Sequence, residues 1–343
     1  MARKKPGSPQ QVIAEACCRV DLAGGTLDLW PLYLFHKNSV TVNFGVNIMT
    51  RCQITARDDD HISLISKDTL RGDDFEDLKT LRAAKEHRHA LAAQLLRFFE
   101  PDCGLNLETN SESPAGAGIS GSSALMIAIT AALARFTGRK LTLEQIRTIS
   151  QNVEAQVINV PTGCQDYYPA LYGGVNAVHL QPDGIIREAI DVAPEEIEKR
   201  FVLIYTGAPR QSGTNNWEVF KAHIDGDSIV QRNFDRIADI ADSMHHALAA
   251  HDWDEVARLL REEWKQRRTN APNITTKFID ELIEVARKKG ARAAKVCGAG
   301  GGGCVIIMTH EDSRDKVSAA LAEAGATVLP LQVARKGLQV RSK

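Results

Sequence analysis

The stretch that most restricts this chain is residues 113–135, SPAGAGISGSSALMIAITAALAR. Residues 114–123 are rich in glycine and serine and run directly into an apolar helical segment that begins near Ala124. Gly116, Gly118 and Gly121 carry no Cβ and reach positive φ at little cost. Several backbone N–H groups can therefore turn toward one anion. The helix that follows adds free first-turn donors and the positive end of its dipole. Ser120, Ser122 and Ser123 supply hydroxyls suited to phosphate oxygens or a metal ion. The combination reads as a cradle for the phosphates of a nucleotide. On its own it also reads as a flexible loop ahead of an Ala-rich helix. It lacks the Gly-Lys-Ser/Thr ending of a Walker A loop. It lacks as well the spacing of a dinucleotide fingerprint early in a βαβ unit.

At 343 residues the chain has room for two domains. Its 43% apolar and 25% charged residues are those of a globular protein. A formal net charge of −1 gives no electrostatic case for nucleic acid or an anionic membrane as partner. No run approaches the ~20 apolar residues of a membrane span. Residues 1–10, MARKKPGSPQ, are basic and contain proline, and no apolar segment of a signal peptide follows. They read as a disordered tail. Seven cysteines, none at CxxC spacing, read as reduced thiols of a cytoplasmic protein. Cys164 and Cys297 lie within motifs, but no His stands beside them in sequence, so both read as small packing residues.

Residues 11–20 read as a strand that delivers Arg19 into the tight passage RVDLAGGTLDLWPLY. Gly24 and Gly25 force a turn there, and Asp21, Thr26 and Asp28 place short polar groups around it, as turn chemistry or as a site for hydroxyls. Residues 39–55 and 62–65 read as strands. Residues 75–99 read as an amphipathic helix or pair, and 104–109 as a strand into the glycine loop. A helix begins at Thr142, with Gln145 as its capping-box partner, and carries Glu154. Pro161 and Gly163 break it before Gln165 and Asp166, so two acids flank a helix break. Residues 187–200 are charged and hold the expected domain boundary. FVLIY, 201–205, reads as a buried strand that empties into a polar loop with Arg210. Helices are expected over about 228–250, 253–268 and 276–288. Gly298 to Gly303 form a second glycine loop, closed by a strand at 304–308. A helix at 312–324 and a strand at 328–334 end the chain.

Four motifs in order make the chain resemble the GHMP kinases, a superfamily named for galacto-, homoserine, mevalonate and phosphomevalonate kinases. RVDLAGGTLDL is similar to the substrate-side motif of galactokinases and heptose-phosphate kinases. PAGAGISGSSA is similar to the PxGxGLGSSxA phosphate loop, with Ser120 and Gly121 exchanged relative to that pattern. GCQDYYPALYGGVNAV resembles the GKQDQYAAAxGGxN stretch of D-glycero-D-manno-heptose 7-phosphate kinases. KVCGAGGGGCVII resembles the C-terminal glycine motif, and YTGAPRQS the TGxxRxS of the heptose subgroup.

The resemblance implies an α+β protein of two domains, a ribosomal-protein-S5-domain-2-like domain over residues 11–198 and a ferredoxin-like domain over 199–343. It implies ATP and Mg²⁺ in the cleft between them and a sugar or sugar phosphate as acceptor, in a monomer or homodimer. Gly116, Ala117, Gly118, Ile119, Ser120, Gly121, Ser122 and Ser123 would hold the ATP phosphates. Ser122, with Ser123 second, would join Glu154 on Mg²⁺. Asp166 would take the proton of the attacking hydroxyl, with Arg19 beside it and the γ-phosphoryl group. Thr26, Asp28 and Gln165 would meet sugar hydroxyls, and Arg210 an anionic group. Gly300, Gly301 and Gly302 would close over substrate. A mevalonate-type kinase and a non-catalytic sugar or ATP sensor on the same scaffold are the alternatives.

Overall fold

The computed structural model of the protein describes residues 9–209 and 214–343. Most of the expected N-terminal tail (residues 1–8) and Arg210 lie outside the described residues. β1 (Gln11–Ala23) and β2 (Val40–Ala56) form one long antiparallel pair. β3 (Ile62–Ser66) and β4 (Arg71–Phe75) form a hairpin, followed by α1 (Leu78–Ala83), α2 (Ala90–Phe99) and β5 (Leu105–Ser111). Three helices come next: α3 (Gly121–Phe136), α4 (Leu143–Ile158) and the short α5 (Tyr167–Tyr172). The hairpin β6 (Val175–Gln181) and β7 (Gly184–Ile190) and the turn of helix α6 (Pro194–Glu198) complete the first half.

The second half holds β8 (Phe201–Tyr205), then α7 (Thr214–Ile224), α8 (Ser228–Ala249), α9 (Trp253–Arg267) and α10 (Lys277–Lys288). It ends with β9 (Ala291–Val296), β10 (Cys304–Thr309), α11 (Arg314–Glu323), β11 (Thr327–Leu329) and β12 (Gln339–Ser342).

Two sheets result. The larger runs β12-β1-β2-β5-β3-β4, with β6 beside the first part of β2 and β7 outside β6. The smaller runs β11-β8-β10-β9 with every pair antiparallel. Strand, helices, two hairpinned strands, helix, strand in spatial order fourth-first-third-second is the ferredoxin-like arrangement expected for this half. The Ala-rich α3 packs on β1 and β2, and its many small side chains let it approach the sheet closely. Ile127, Ile129 and Leu133 are buried on it, each contributing about 1.5–3 kcal/mol by leaving water. α4 starts as its sequence indicates: Thr142 Oγ1 accepts from Gln145 N at 3.2 Å, and Gln145 Oε1 accepts from Thr142 N at 2.8 Å.

The structure defines several segments more closely. Residues 167–172 form the short helix α5, with all but Tyr172 buried. The charged residues 187–200 hold β7 and α6, an edge strand and a short helix whose exposed faces carry the charges. α7 occupies part of a stretch read as polar loop. The strand expected at 328–334 pairs only over Thr327–Leu329; the chain then leaves the second sheet. Val333 bridges to Val46, and β12 pairs with β1 in the first sheet. Among the described residues no helix is long and apolar enough to cross a membrane.

Candidate active site

The glycine loop lies between β5 and α3. Ser120, the residue before α3, has φ +56°, and its hydroxyl is buried without a hydrogen-bond partner among the described residues. Ser122, in the first turn of α3, donates its hydroxyl to Glu154 Oε1 at 2.6 Å. The Tyr167 hydroxyl donates to Glu154 Oε2, also at 2.6 Å. Glu154 projects from α4 and is buried. Burial pushes its carboxyl above the usual range, while the Ser122 and Tyr167 hydroxyls pull it back. Serine and carboxylate oxygens side by side at a helix N-terminus form a hard-oxygen donor pair.

Asp166 sits at the start of α5, across the helix break from Glu154. Arg19 Nε and Nη2 both donate to its Oδ1, at 2.9 and 2.6 Å. Arg19 Nη1 donates to the carbonyls of Gly118 at 2.8 Å and Cys297 at 2.6 Å. One buried guanidinium thus ties β1, both glycine loops and Asp166 together. Four of its five N–H groups are engaged by these bonds. Its side chain is 4% exposed and that of Asp166 27%, so the acid is the member of the pair that a ligand can reach.

Two cavities meet at this acid. One is lined by the glycine loop, Ser122, Glu154 and Asp166. The other is lined by Arg19, Thr26, Asp28, Gln165, Asp166 and Arg267. Asp166, Gly163 and Asn216 border both. In the second cavity Asp28 Oδ2 accepts the Gln165 N–H at 2.9 Å. Burial and, next, the negative charge of Asp166 push the Asp28 carboxyl up to about 7. Thr26 donates to Asn216 Oδ1 on α7 at 3.2 Å and accepts from Arg267 at 3.3 Å. The structure therefore brings Arg19, Thr26, Asp28, Gln165 and Asp166 to one wall, adjoining the serine loop and Glu154.

The second glycine loop packs closely on neighbouring backbone. Gly298 and Ala299 face the cavity. Gly301 N donates to Ile274 O at 3.0 Å, and a Cβ on Gly300 or Gly302 would strike Ile274 O at 2.2 Å or Ala208 O at 2.7 Å. The backbone of Gly300, Gly301 and Gly302 thus lies close against neighbouring carbonyls. Gly303 has φ +78°, and a Cβ there would lie 2.6 Å from Ala117 O. Cys304 N donates to that same carbonyl at 2.6 Å. The two glycine loops are thus joined backbone to backbone. Gly303→Ala is expected to lower stability by about 1–3 kcal/mol through backbone strain and to weaken nucleotide binding with it. Urea unfolding and nucleotide titration check this; a variant matching wild type in both would show that the loops tolerate separation.

Sequence reasoning missed a buried charge network behind the cavity. Lys295 on β9 donates to Asp21 Oδ2 at 2.6 Å and lies 3.7 Å from Glu263 Oε2. Glu263 pairs in turn with Arg267, one helical turn along α9, and Arg267 donates to Gly25 O at 2.8 Å. Burial pushes Asp21 up, but Lys295, Arg267 and Arg19 outweigh it and leave the carboxyl below its usual range. The signal in sequence was slight: a lone lysine in the Ala/Val stretch before the second glycine loop. Cys164 and Cys297 are both buried, and all seven cysteines are unbridged. Burial pushes the Cys164 thiol well up, which suits packing.

A glycine-rich loop at a helix N-terminus shares one acid with a small polar cavity, an arrangement suited to moving phosphoryl groups onto small molecules. The chain belongs to the GHMP kinases. The family's "GHMP kinases N terminal domain" matches residues 80–174 and its "GHMP kinases C terminal" matches residues 244–327, together just over half of the chain. The D-glycero-alpha-D-manno-heptose 7-phosphate kinase of Campylobacter jejuni is 23% identical over 328 residues, covering 94% of this chain and 96% of that protein. The mevalonate kinase of Thermococcus sibiricus is 26% identical over 255 residues, 70% of each. The structure of a D-glycero-D-manno-heptose 1-phosphate kinase from Bacteroides thetaiotaomicron superposes with a TM-score of 0.78 at 22% identity, over 97% of this chain and 99% of that one.

Proposed function

We propose that this kinase transfers the γ-phosphoryl group of ATP to a hydroxyl of a sugar or sugar phosphate, with Asp166 as the base. The observation that carries the reading is the position of Asp166 on the border between the phosphate cradle and the polar cavity. The near-complete coverage of the heptose 7-phosphate kinase, against 70% for the mevalonate kinase, supports a sugar acceptor. So does a cavity wall of Thr26, Asp28, Gln165 and Arg267, which offers donors and acceptors rather than an apolar slot.

In this reading residues 116–123 and the first turn of α3 hold the phosphates through backbone N–H groups and hydroxyls. The unpartnered Ser120 hydroxyl and the Ser122–Glu154 oxygen pair fit Mg²⁺-nucleotide. Mg²⁺ held by Ser122 and Glu154 would neutralise phosphate charge. Both Arg19 donors to Asp166 converge on Oδ1, and nothing among the described residues hydrogen-bonds Oδ2. Oδ2 accepts the proton of the sugar hydroxyl as its oxygen forms the new bond to phosphorus. The bond from the γ-phosphorus to the bridging oxygen breaks, and ADP leaves with that electron pair. Arg19 orients the base and retains one N–H for the transferring group. Arg210, outside the described residues, remains proposed for an anionic group of the substrate.

An ATP-consumption screen against monosaccharides, heptose 7-phosphate and mevalonate tests the reading. Turnover with a sugar or sugar phosphate is expected. Turnover with mevalonate alone would replace the acceptor class, and tight sugar binding without any turnover would replace catalysis by sensing.

Asp28 adds a pH signature. Its carboxylate form accepts substrate hydroxyls, and its carboxyl titrates at about 7. Below that pH kcat/KM is expected to fall by about tenfold per unit, since this ratio reports groups of the free enzyme. Asp28→Asn should lower kcat/KM at pH 8 and abolish this acidic limb; an unchanged limb would remove Asp28 from substrate binding. The stability effect has the opposite sign. A carboxyl raised above its usual 3.8 holds its proton better when folded, so the free protein loses stability as pH rises from about 4 to about 7.

A further inference from the structure

Three metal-ligating side chains that line neither cavity at Asp166 converge elsewhere in the fold. They are His179 on β6, Glu188 on β7 and His245 on α8, and their ligand atoms all lie within 4.8 Å of one another. His179 Nε2 is 3.0 Å from Glu188 Oε2, and His245 Nε2 is 3.2 Å from Glu188 Oε1. The hairpin register explains half of this. His179 stands opposite Ile186 and Ala177 opposite Glu188, so His179 and Glu188 are diagonal neighbours on one face of the ribbon. α8 lies over the same hairpin and contributes the third group from above. The two imidazoles meet edge to face with ring centres 5.3 Å apart.

We propose that His179, Glu188 and His245 form a second metal site, for a divalent transition ion with Zn²⁺ favoured by the ligands. Two imidazole nitrogens and a carboxylate are the donor set of three-ligand zinc sites, with a water as fourth ligand. They are poor partners for Mg²⁺, which takes oxygen donors. Tetrahedral zinc with bonds near 2.0–2.1 Å separates its ligand atoms by about 3.3 Å. The two nitrogen–oxygen separations, one to each oxygen of the Glu188 carboxylate, are near that value, and one ligand atom from each residue lies within 4.8 Å of the other two. All three ligands stand on regular elements, and Glu188 is 53% exposed, so an ion has a way in. His245 is buried and fixes the inner corner. The ligands come from both halves of the chain, since β6 and β7 belong to the first sheet and α8 to the segment between β8 and β9. The ion is a strut between them, and none of its ligands lines either cavity at Asp166.

The test is zinc titration calorimetry on the full chain without nucleotide, in millimolar Mg²⁺ to fill oxygen-only sites. Glu188→Gln and His179→Gln run alongside; both positions are exposed or half-buried, so the packing survives. Expected are one Zn²⁺ per chain, a rise in the melting temperature with zinc, and a loss of affinity of at least about 100-fold in each variant with no zinc-dependent rise. Co²⁺ in place of zinc should give the intense visible absorption of a four-coordinate ion in wild type alone. No saturable zinc binding in wild type would overturn the proposal. Binding of equal strength in both variants would overturn it equally, by locating the ion elsewhere.

Discussion

Asp166→Asn is expected to reduce kcat by about 10²–10⁴-fold, the range a positioned general base contributes. The change is close to isosteric. The amide oxygen can still accept from Arg19, and Arg19 keeps its bonds to Gly118 O and Cys297 O. The wall between the two cavities should therefore stand, and the melting temperature should change little. What disappears is the basic oxygen proposed to face the acceptor hydroxyl. Because that proton moves only as the bond to phosphorus forms, kcat and kcat/KM should fall together, with KM for ATP and acceptor nearly unchanged. Steady-state kinetics with the acceptor found in the screen make the measurement. A loss of less than about tenfold would mean that positioning and charge neutralisation carry the reaction without a base, as a loose phosphoryl-transfer transition state permits. A rise in KM with kcat intact would instead make Asp166 a binding group.

The parts of the site that could be read from sequence are those whose chemistry is local. The glycine–serine loop and the helical segment after it are legible within about a dozen residues, as is the serine-bearing first turn that the structure sets beside Glu154. Thr142 and Gln145 announce a helix start, and Pro161 and Gly163 the break that sets Glu154 and Asp166 apart. The exchange of Ser120 and Gly121 was visible too, though not its result. Ser120 takes the positive φ where the family pattern has glycine, and Gly121 sits where a Cβ would meet Ser113 at 2.8 Å.

Other features were hidden for a physical reason. Arg267 and Glu263 lie in REEWKQRR, where charges at helical spacing read as a solvated face. Both are buried because α9 turns that face toward β9 and the Gly24–Gly25 turn. β12 is a short polar strand that only its partner β1 defines. β7 alternates exposed and half-buried residues along a sheet edge, so its composition resembles a loop. In the second glycine loop, glycine content does not say which protein neighbours approach; those of Gly300, Gly302 and Gly303 are carbonyl groups of the protein.

Lys295→Met should be the most destabilising single change outside the apolar core, by about 3–5 kcal/mol, the range for removing one partner from a buried ion pair. Lys295 is fully buried, between Asp21 on β1 and Glu263 on α9. With Arg267 the four charges cancel. Methionine matches the aliphatic stem but leaves two buried carboxylates facing a single guanidinium, and Asp21 Oδ1 already has no hydrogen-bond partner among the described residues. Desolvation of an unmatched carboxylate outweighs whatever the methyl group gains by packing. The loss should appear in urea as a lower midpoint with an unchanged slope. It should also be pH-dependent in a defined direction. Asp21 is held below its usual 3.8, so its pairing stabilises the fold above that pH and is lost as pH falls through the depressed value. The gap between wild type and variant is therefore widest near neutrality and closes in acid. Adding Asp21→Asn to Lys295→Met removes one orphaned charge and should recover part of the loss, a coupling of about 0.5–3 kcal/mol. Strict additivity of the two changes, or a single-variant loss below about 1 kcal/mol, would mean that water reaches Lys295 and that the network does not hold β1, β9 and α9 in register behind the substrate cavity.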